Sequence, residues 1–163
     1  MKTSKQPNFT LEEMQFWFSY DPETGHIMRI RGAKAGEIVT NKTKDGYIIL
    51  TFFYRKIYGH QLAWWFSNGA WPTTHLDHIN CDKSDNRISN LRETTPRLNC
   101  MNRKARKDNR LGLKGVIKKG RKYRAVITIN YKKHHLGYYD TPEEAHEAYK
   151  KAAIESAGDH ARW

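Results

Sequence analysis

Apolar and polar positions divide the chain into an aromatic-rich amino-terminal half and a carboxy-terminal half of short amphipathic strands followed by one helix. Residues 1–9 read as frayed. Thr10-Leu11-Glu12-Glu13 is a capping box, followed by Met14, Phe16, Trp17 and Phe18, so a short amphipathic helix is expected before the turn Asp21-Pro22-Glu23-Thr24-Gly25. The aromatic cluster reads most simply as core packing, with base stacking as the alternative. Strands are expected around His26 to Ile30 and Gly46 to Phe53, with Lys44-Asp45-Gly46 as a turn. His60 to Phe66 reads as a buried helix ended near Asn68-Gly69. A short strand ends at Asp77-His78, a polar loop runs from Asn80 to Ser89, Asn90-Leu91 opens a second strand, and Thr95-Pro96 starts a helix.

The carboxy-terminal pattern predicts three strands, Gly115 to Lys118, Tyr123 to Ile129 and Lys133 to Tyr138, with turns at Lys119-Gly120 and Asn130-Tyr131. A helix follows, capped by Thr141 with Pro142 first and Glu144 closing the box; Ala145, Ala148, Tyr149, Ala152 and Ala153 make one apolar stripe. Period-two counting turns Tyr123, Ala125 and Ile127 toward that stripe and Arg124, Val126 and Thr128 away from it, with Lys133 and His135 on the outward face if Leu136 packs inward.

Charge sharpens this picture. The 163 residues carry a formal net charge of +12. Fourteen Lys and Arg side chains lie between Arg97 and Lys133 against one acid, Asp108, so that segment accounts for the whole excess. Such a concentration points to a polyanionic partner. Strand-like alternation there disfavours a basic membrane helix, and the longest largely apolar run, Tyr47 to Tyr54, is far shorter than a membrane span. Cys81 and Cys100 form neither a disulfide framework nor a zinc site, so no structural zinc is expected, and an intracellular, cytoplasmic, unexported protein is expected. The polar, basic stretch Arg103 to Arg110 is the expected domain boundary.

The chemistry concentrates between Thr74 and Asn99. Asp77 and His78 place a hard oxygen ligand and an imidazole side by side where a strand gives way to a loop rich in Asn, Asp and Ser. Asn99, in the first turn of the following helix, adds an amide oxygen. Carboxylate and amide oxygens suit Mg²⁺, and a neutral imidazole can take a proton from water. His75 lies one strand period before Asp77 and can reach substrate or pack within the strand. His60, at a helix start, is read as structural or phosphate-facing.

Asp77-His78, the run Asp85 to Arg92 and helical Asn99 together resemble the HNH endonucleases, in particular phage-encoded homing endonucleases. Similar features upstream, from Asp21-Pro22 through Asp45-Gly46-Tyr47, Gly59-His60 and Trp71-Pro72, extend the resemblance over most of residues 16–105. It implies a ββα-metal site with His78 as general base, Asp77 and Asn99 as ligands of one Mg²⁺ or Mn²⁺, and Asn90 orienting the loop and His78. Arg92, Arg97 and Arg103 are expected near the site as phosphate clamps. Cys81 stands where the family often has Gly. The segment from 110 onward resembles the AP2 DNA-binding domain through Lys114-Gly115-Val116, Tyr123 to Ile127, Leu136 to Thr141, Glu143-Glu144-Ala145, Ala148-Tyr149 and Gly158 to Arg162. That likeness implies DNA contacts from Lys114, Val126, Thr128, Lys133 and His135, to which the basic sheet adds Lys118, Arg121 and Arg124.

The expected fold is α+β: a ββα-metal (HNH) nuclease module over residues 1–106, with its core at about 74–106, then an AP2-like three-stranded antiparallel sheet packed on one helix over 107–163. The expected activity is metal-dependent hydrolysis of duplex DNA by a monomer or homodimer, nicking or cutting both strands. The alternatives are a non-catalytic DNA-binding regulator and, less favoured, an RNA-directed protein.

Overall fold

In the computed structural model, residues 7–102, 105 and 109–162 are described, apart from the side chains of Arg97 and Cys100. The chain divides into two compact units after Thr95. The first contains α1 (Leu11–Trp17), β1 (Phe18–Tyr20), β2 (Ile27–Arg29), β3 (Ile49–Phe52), β4 (Arg55–Tyr58), α2 (Gly59–Asn68), β5 (His75–His78) and β6 (Leu91–Thr94). Its strands pair as three antiparallel ribbons, β1 with β2, β3 with β4 and β5 with β6. The second contains α3 (Pro96–Met101), β7 (Val116–Lys119), β8 (Lys122–Ile129), β9 (Lys132–Tyr139) and α4 (Pro142–Ala157).

Local hydrogen bonding explains several element ends. Thr10 and Glu13 make the reciprocal capping box of α1, and Thr141 and Glu144 make that of α4, with Pro142 in its first turn. The α1 helix stops at Trp17, and Phe18 begins β1 rather than a further helical turn. Alternate sides of the short β1 and β2 strands then place Phe18 and Ile27 in a core with Met14, Leu50, Ile57, Leu62 and Trp65. Full burial of each such side chain contributes about 1.5–3 kcal/mol.

The expected strand Gly46 to Phe53 forms over the shorter range of β3 and is the first arm of a hairpin whose second arm was not expected. Phe53 (φ 41°) and Tyr54 (φ 63°) turn the chain in left-handed conformations, and β4 returns from Arg55. No glycine or asparagine marks this turn, so local turn chemistry left it silent.

In the second unit the order is β7-β8-β9, all antiparallel, with α4 across the sheet. Ala125 and Ile127 are buried under Tyr149, Ala145 and Ala153, while Arg124 and Val126 are half-buried and Thr128 is exposed, as the period-two count requires. The register shifts between Ala125 and Val126, so that Ala125 faces Gly137 but Val126 faces His135. This bulge turns Leu136 into the core and leaves His135 and Lys133 beside Val126 and Thr128. α3 packs against α4 and the 158–160 turn within this unit.

Candidate active site

The β5–β6 ribbon sets Asp77 opposite Arg92 and His78 opposite Leu91. Both Asp77 and His78 are buried at the end of β5. Arg92 donates to Asp77 Oδ2 from a terminal nitrogen at 3.0 Å and from Nε at 3.3 Å. The guanidinium expected to hold phosphate therefore grips the carboxylate across the ribbon. With both partners largely out of water, loss of either would take a charged partner from a buried group.

The loop after His78 closes on Asn90. Asn90 Oδ1 accepts from Asn80 N at 3.0 Å, its Nδ2 donates to Asn80 Oδ1 and the Asp85 carbonyl, and its own carbonyl accepts from Ile79 N. Asp82 accepts from both the backbone and the hydroxyl of Ser84, and Arg87 holds Asp85 in a two-pronged ion pair. That pair keeps the Asp85 carboxyl down at about 2. Cys81 takes the turn at φ 61°, a left-handed position where glycine carries no Cβ penalty, and its N–H donates to the His78 carbonyl.

A residue of the Asp85 to Arg92 run to which the sequence reading gave no role organises the imidazole. Asn86 is 2 % exposed, and its Oδ1 lies 3.2 Å from His78 Nε2. An amide oxygen can only accept, so in this bond Nε2 carries the proton and Nδ1 keeps the basic lone pair. Asn86 is in turn enclosed. The Tyr20 hydroxyl donates to its carbonyl at 2.9 Å, and a Cβ on Gly59 would come within 2.8 Å of its Nδ2. A Cβ on Gly25 would meet the Asn86 carbonyl carbon at 2.7 Å, so two glycines are needed for the β1–β2 turn and the start of α2 to approach the loop. The Asp85 to Arg92 run contained Asn86, but its role depends on Gly25 and Gly59 in two distant segments.

His60 packs its ring against His78, with centroids 5.1 Å apart, and Tyr47 and Tyr58 complete the aromatic nest. Burial, reinforced by His78, pushes His60 down to about 3, so it is neutral; its Nδ1 has no hydrogen-bond partner among the described residues. Burial also lowers His78, opposed by Asn86 and by Asp77, which leaves an unprotonated imidazole at neutral pH. His75 is half-buried in β5 opposite Thr94. Asn99 is half-buried on α3, in the second unit. The side chain of Arg97 and all of Arg103 lie outside the described residues.

A family model described as HNH endonuclease matches residues 58–101, which include α2, the loop and both strands of the site. A curated relative, protein 3.8 of Escherichia phage T7, is 32% identical over 94 residues, covering 56% of this chain and 78% of the relative. The chain belongs to the HNH endonuclease family. A solved structure of DNA binding and cleavage by the HNH homing endonuclease I-HmuI aligns over 92% of this chain and 82% of its own, at 20% identity and a TM-score of 0.45.

In this HNH protein the residues expected to touch DNA are spread over the second unit. Lys118, Arg121, Thr128, Lys133 and His135 are exposed, and Arg124 and Val126 are half-buried. Lys118 pairs with Tyr123 and so shares that residue's face rather than Arg124's. Lys114 is drawn inward, donating to the carbonyls of Met101 at 2.6 Å and Arg162 at 2.9 Å. Among the described residues no three His, Cys, Asp or Glu side chains converge as metal ligands. A buried carboxylate beside a neutral imidazole is nonetheless a donor set suited to a hard divalent ion completed by amide oxygen, water and phosphate. No helix of the described residues is long and apolar enough to cross a membrane.

Proposed function

We propose that this HNH protein is a metal-dependent endonuclease that hydrolyses phosphodiester bonds in duplex DNA, of the phage homing type. The observation that carries the reading is His78: a buried, neutral imidazole whose Nε2 is held by Asn86 and whose Nδ1 stays basic, beside a carboxylate fixed by Arg92. Nδ1 accepts a proton from a water molecule as the water oxygen forms its bond to phosphorus. The P–O bond opposite the attacking oxygen breaks, and the departing oxygen takes a proton from solvent. Asp77, joined by Asn99 on the strength of the sequence resemblance, would hold Mg²⁺ or Mn²⁺, which supplies positive charge against the developing phosphorane. Arg92 keeps Asp77 in one orientation. Asn90 ties down the loop that carries Asn86, which in turn orients the base.

In this reading α3, compact with the second unit, belongs functionally to the nuclease module of residues 1–106. The three-stranded sheet of residues 107–163 acts as an AP2-like DNA-binding module, presenting Arg124, Thr128, Lys133 and His135. One site per chain makes a monomer a nicking enzyme, and a homodimer could cut both strands.

The test is cleavage of supercoiled plasmid with Mg²⁺, Mn²⁺ or EDTA by wild type and His78→Ala. Metal-dependent open circle, lost in the variant, supports the reading. DNA binding without cleavage at any metal concentration would replace it with a non-catalytic DNA-binding protein.

A further inference from the structure

The aromatic side chains around the β3–β4 hairpin belong to neither the HNH site nor the basic sheet. They form a continuous row. Phe16 meets Trp17 at 5.7 Å between ring centroids, Trp17 meets Phe52 at 5.9 Å, and Phe52 meets Phe53 at 4.6 Å. Core packing accounts for Phe18 and for the half-buried Trp17 and Phe52, but not for the outer rings, because Phe16 is 52%, Phe53 64% and Tyr54 99% exposed.

Two further features give this surface a chemistry. Trp17, Phe18 and Phe52 line a cleft of about 340 Å³ together with Arg29, Arg31 and Lys34. The Arg31 guanidinium lies 3.8 Å over the Phe16 ring, and Arg29 lies 5.5 Å over Phe18. Glu37 stands 3.6 Å from Lys34, with both side chains well exposed, a contact of little weight in water. The hairpin tip adds the second feature. Two-residue turns of this hand favour Asn-Gly, yet here two bulky aromatics occupy the left-handed positions. Backbone strain of this kind is retained where the side chains it presents are used.

We propose that this aromatic and arginine surface is a nucleic-acid site separate from the hydrolytic centre. An unstacked base of the DNA enters the cleft and lies against Trp17 and Phe52, Phe53 and Tyr54 press against a neighbouring base, and the strand's phosphates lie on Arg29, Arg31 and Lys34. Flat apolar walls accept any base because every base has a π face, while guanidinium groups match phosphate geometry. The inference rests on the reading of the chain as a protein that acts on DNA.

The experiment measures binding of the full-length protein, in EDTA, to a labelled thymidine strand of about twelve nucleotides and to an abasic strand with the same number of phosphates. Wild type is expected to prefer the base-bearing strand by about tenfold or more. Phe53→Asn combined with Tyr54→Gly relieves the left-handed strain, so its Tm holds or rises while the preference falls toward one. Arg31→Ala should weaken both strands alike and lower the salt slope by about 0.7. Equal binding of the two strands by wild type overturns the site, as does a preference that survives the hairpin variant. If that variant unfolds, unchanged affinity and slope in Arg31→Ala overturns it instead. Plasmid nicking by wild type, measured alongside, separates the claims: nicking without base preference removes this site alone, and base preference without nicking removes the nuclease reading alone.

Discussion

The β5–β6 ribbon and the β7–β8–β9 sheet use the same antiparallel pairing but bury opposite kinds of side chain. The ribbon encloses Asp77, His78, Asn86 and Asn90, each with a hydrogen-bonding partner, whereas the sheet encloses Val116, Ala125 and Ile127 beneath Tyr149. A desolvated polar group is costly unless satisfied, so the ribbon concentrates reactivity and depends on complete partnering. The sheet gains stability from apolar contact and leaves its charges to solvent. Damage to the first should appear as lost chemistry or pairing, and damage to the second as lost stability.

The sharpest break is His78→Ala. Plasmid cleavage should fall by about 10²–10⁴-fold, the usual worth of a positioned acid or base, while DNA affinity stays within a few-fold. Equal loss of binding and cleavage would place His78 outside the chemistry. On the sheet side, Ile127→Ala should cost about 2–5 kcal/mol in urea unfolding, with cleavage per folded molecule unchanged. A cost near zero would mean that the Ile127–Tyr149 contact is not a core contact.

Arg92→Ala tests partnering in the ribbon. It takes a charged partner from the buried Asp77 and should cost about 3 kcal/mol in EDTA. Mg²⁺ or Mn²⁺ should restore part of the lost Tm if Asp77 holds the metal, and no metal-dependent recovery would argue against that ligand.

Acid acts through the same region more gradually. His60 titrates near 3 in the folded protein and near 6.5 when unfolded, so between these values the unfolded chain binds the proton first. Its contribution is therefore complete above about pH 6.5 and declines as pH falls toward about 3. Unfolding free energies in EDTA at several pH values should slope downward across that window, and His60→Phe should flatten the slope. An unchanged slope would move its origin to other groups. The smallest effect expected is from Cys81→Gly, which should add about 0.5–1 kcal/mol by removing the Cβ from a left-handed position. A destabilised variant would show that the Cys81 side chain makes contacts worth more than the backbone relief.

Legibility in the sequence followed the range of the interactions. The capping boxes at Thr10 and Thr141, the Pro96 helix start, the two-faced pattern of β8 and the Asp77-His78 pair are each written within a few neighbouring residues. The β3–β4 hairpin was not legible, because Phe53 and Tyr54 lack the turn chemistry that announces a left-handed pair. Arg92 carried the right charge for a phosphate clamp, but its use against Asp77 follows from a cross-strand register that charge alone does not specify. Likewise, the aromatic residues near Trp17 signalled burial by type, although several remain in solvent.

By itself, then, the sequence determined the Asp77-His78 pair and the Asp85 to Arg92 run as a local pattern, the helix starts, the strand faces of the second unit and the concentration of positive charge after Arg97. Only the tertiary structure decided that Asn86 orients His78, that Arg92 serves Asp77 and that His60 is neutral beside them. The physical reason is that caps and periodicities arise from hydrogen bonds and side-chain directions within one or two turns of chain, whereas desolvation and partner choice arise from packing. Gly25, Gly59 and Asn86 are far apart in sequence, and their joint meaning exists only where the backbone brings them within a methyl group's width.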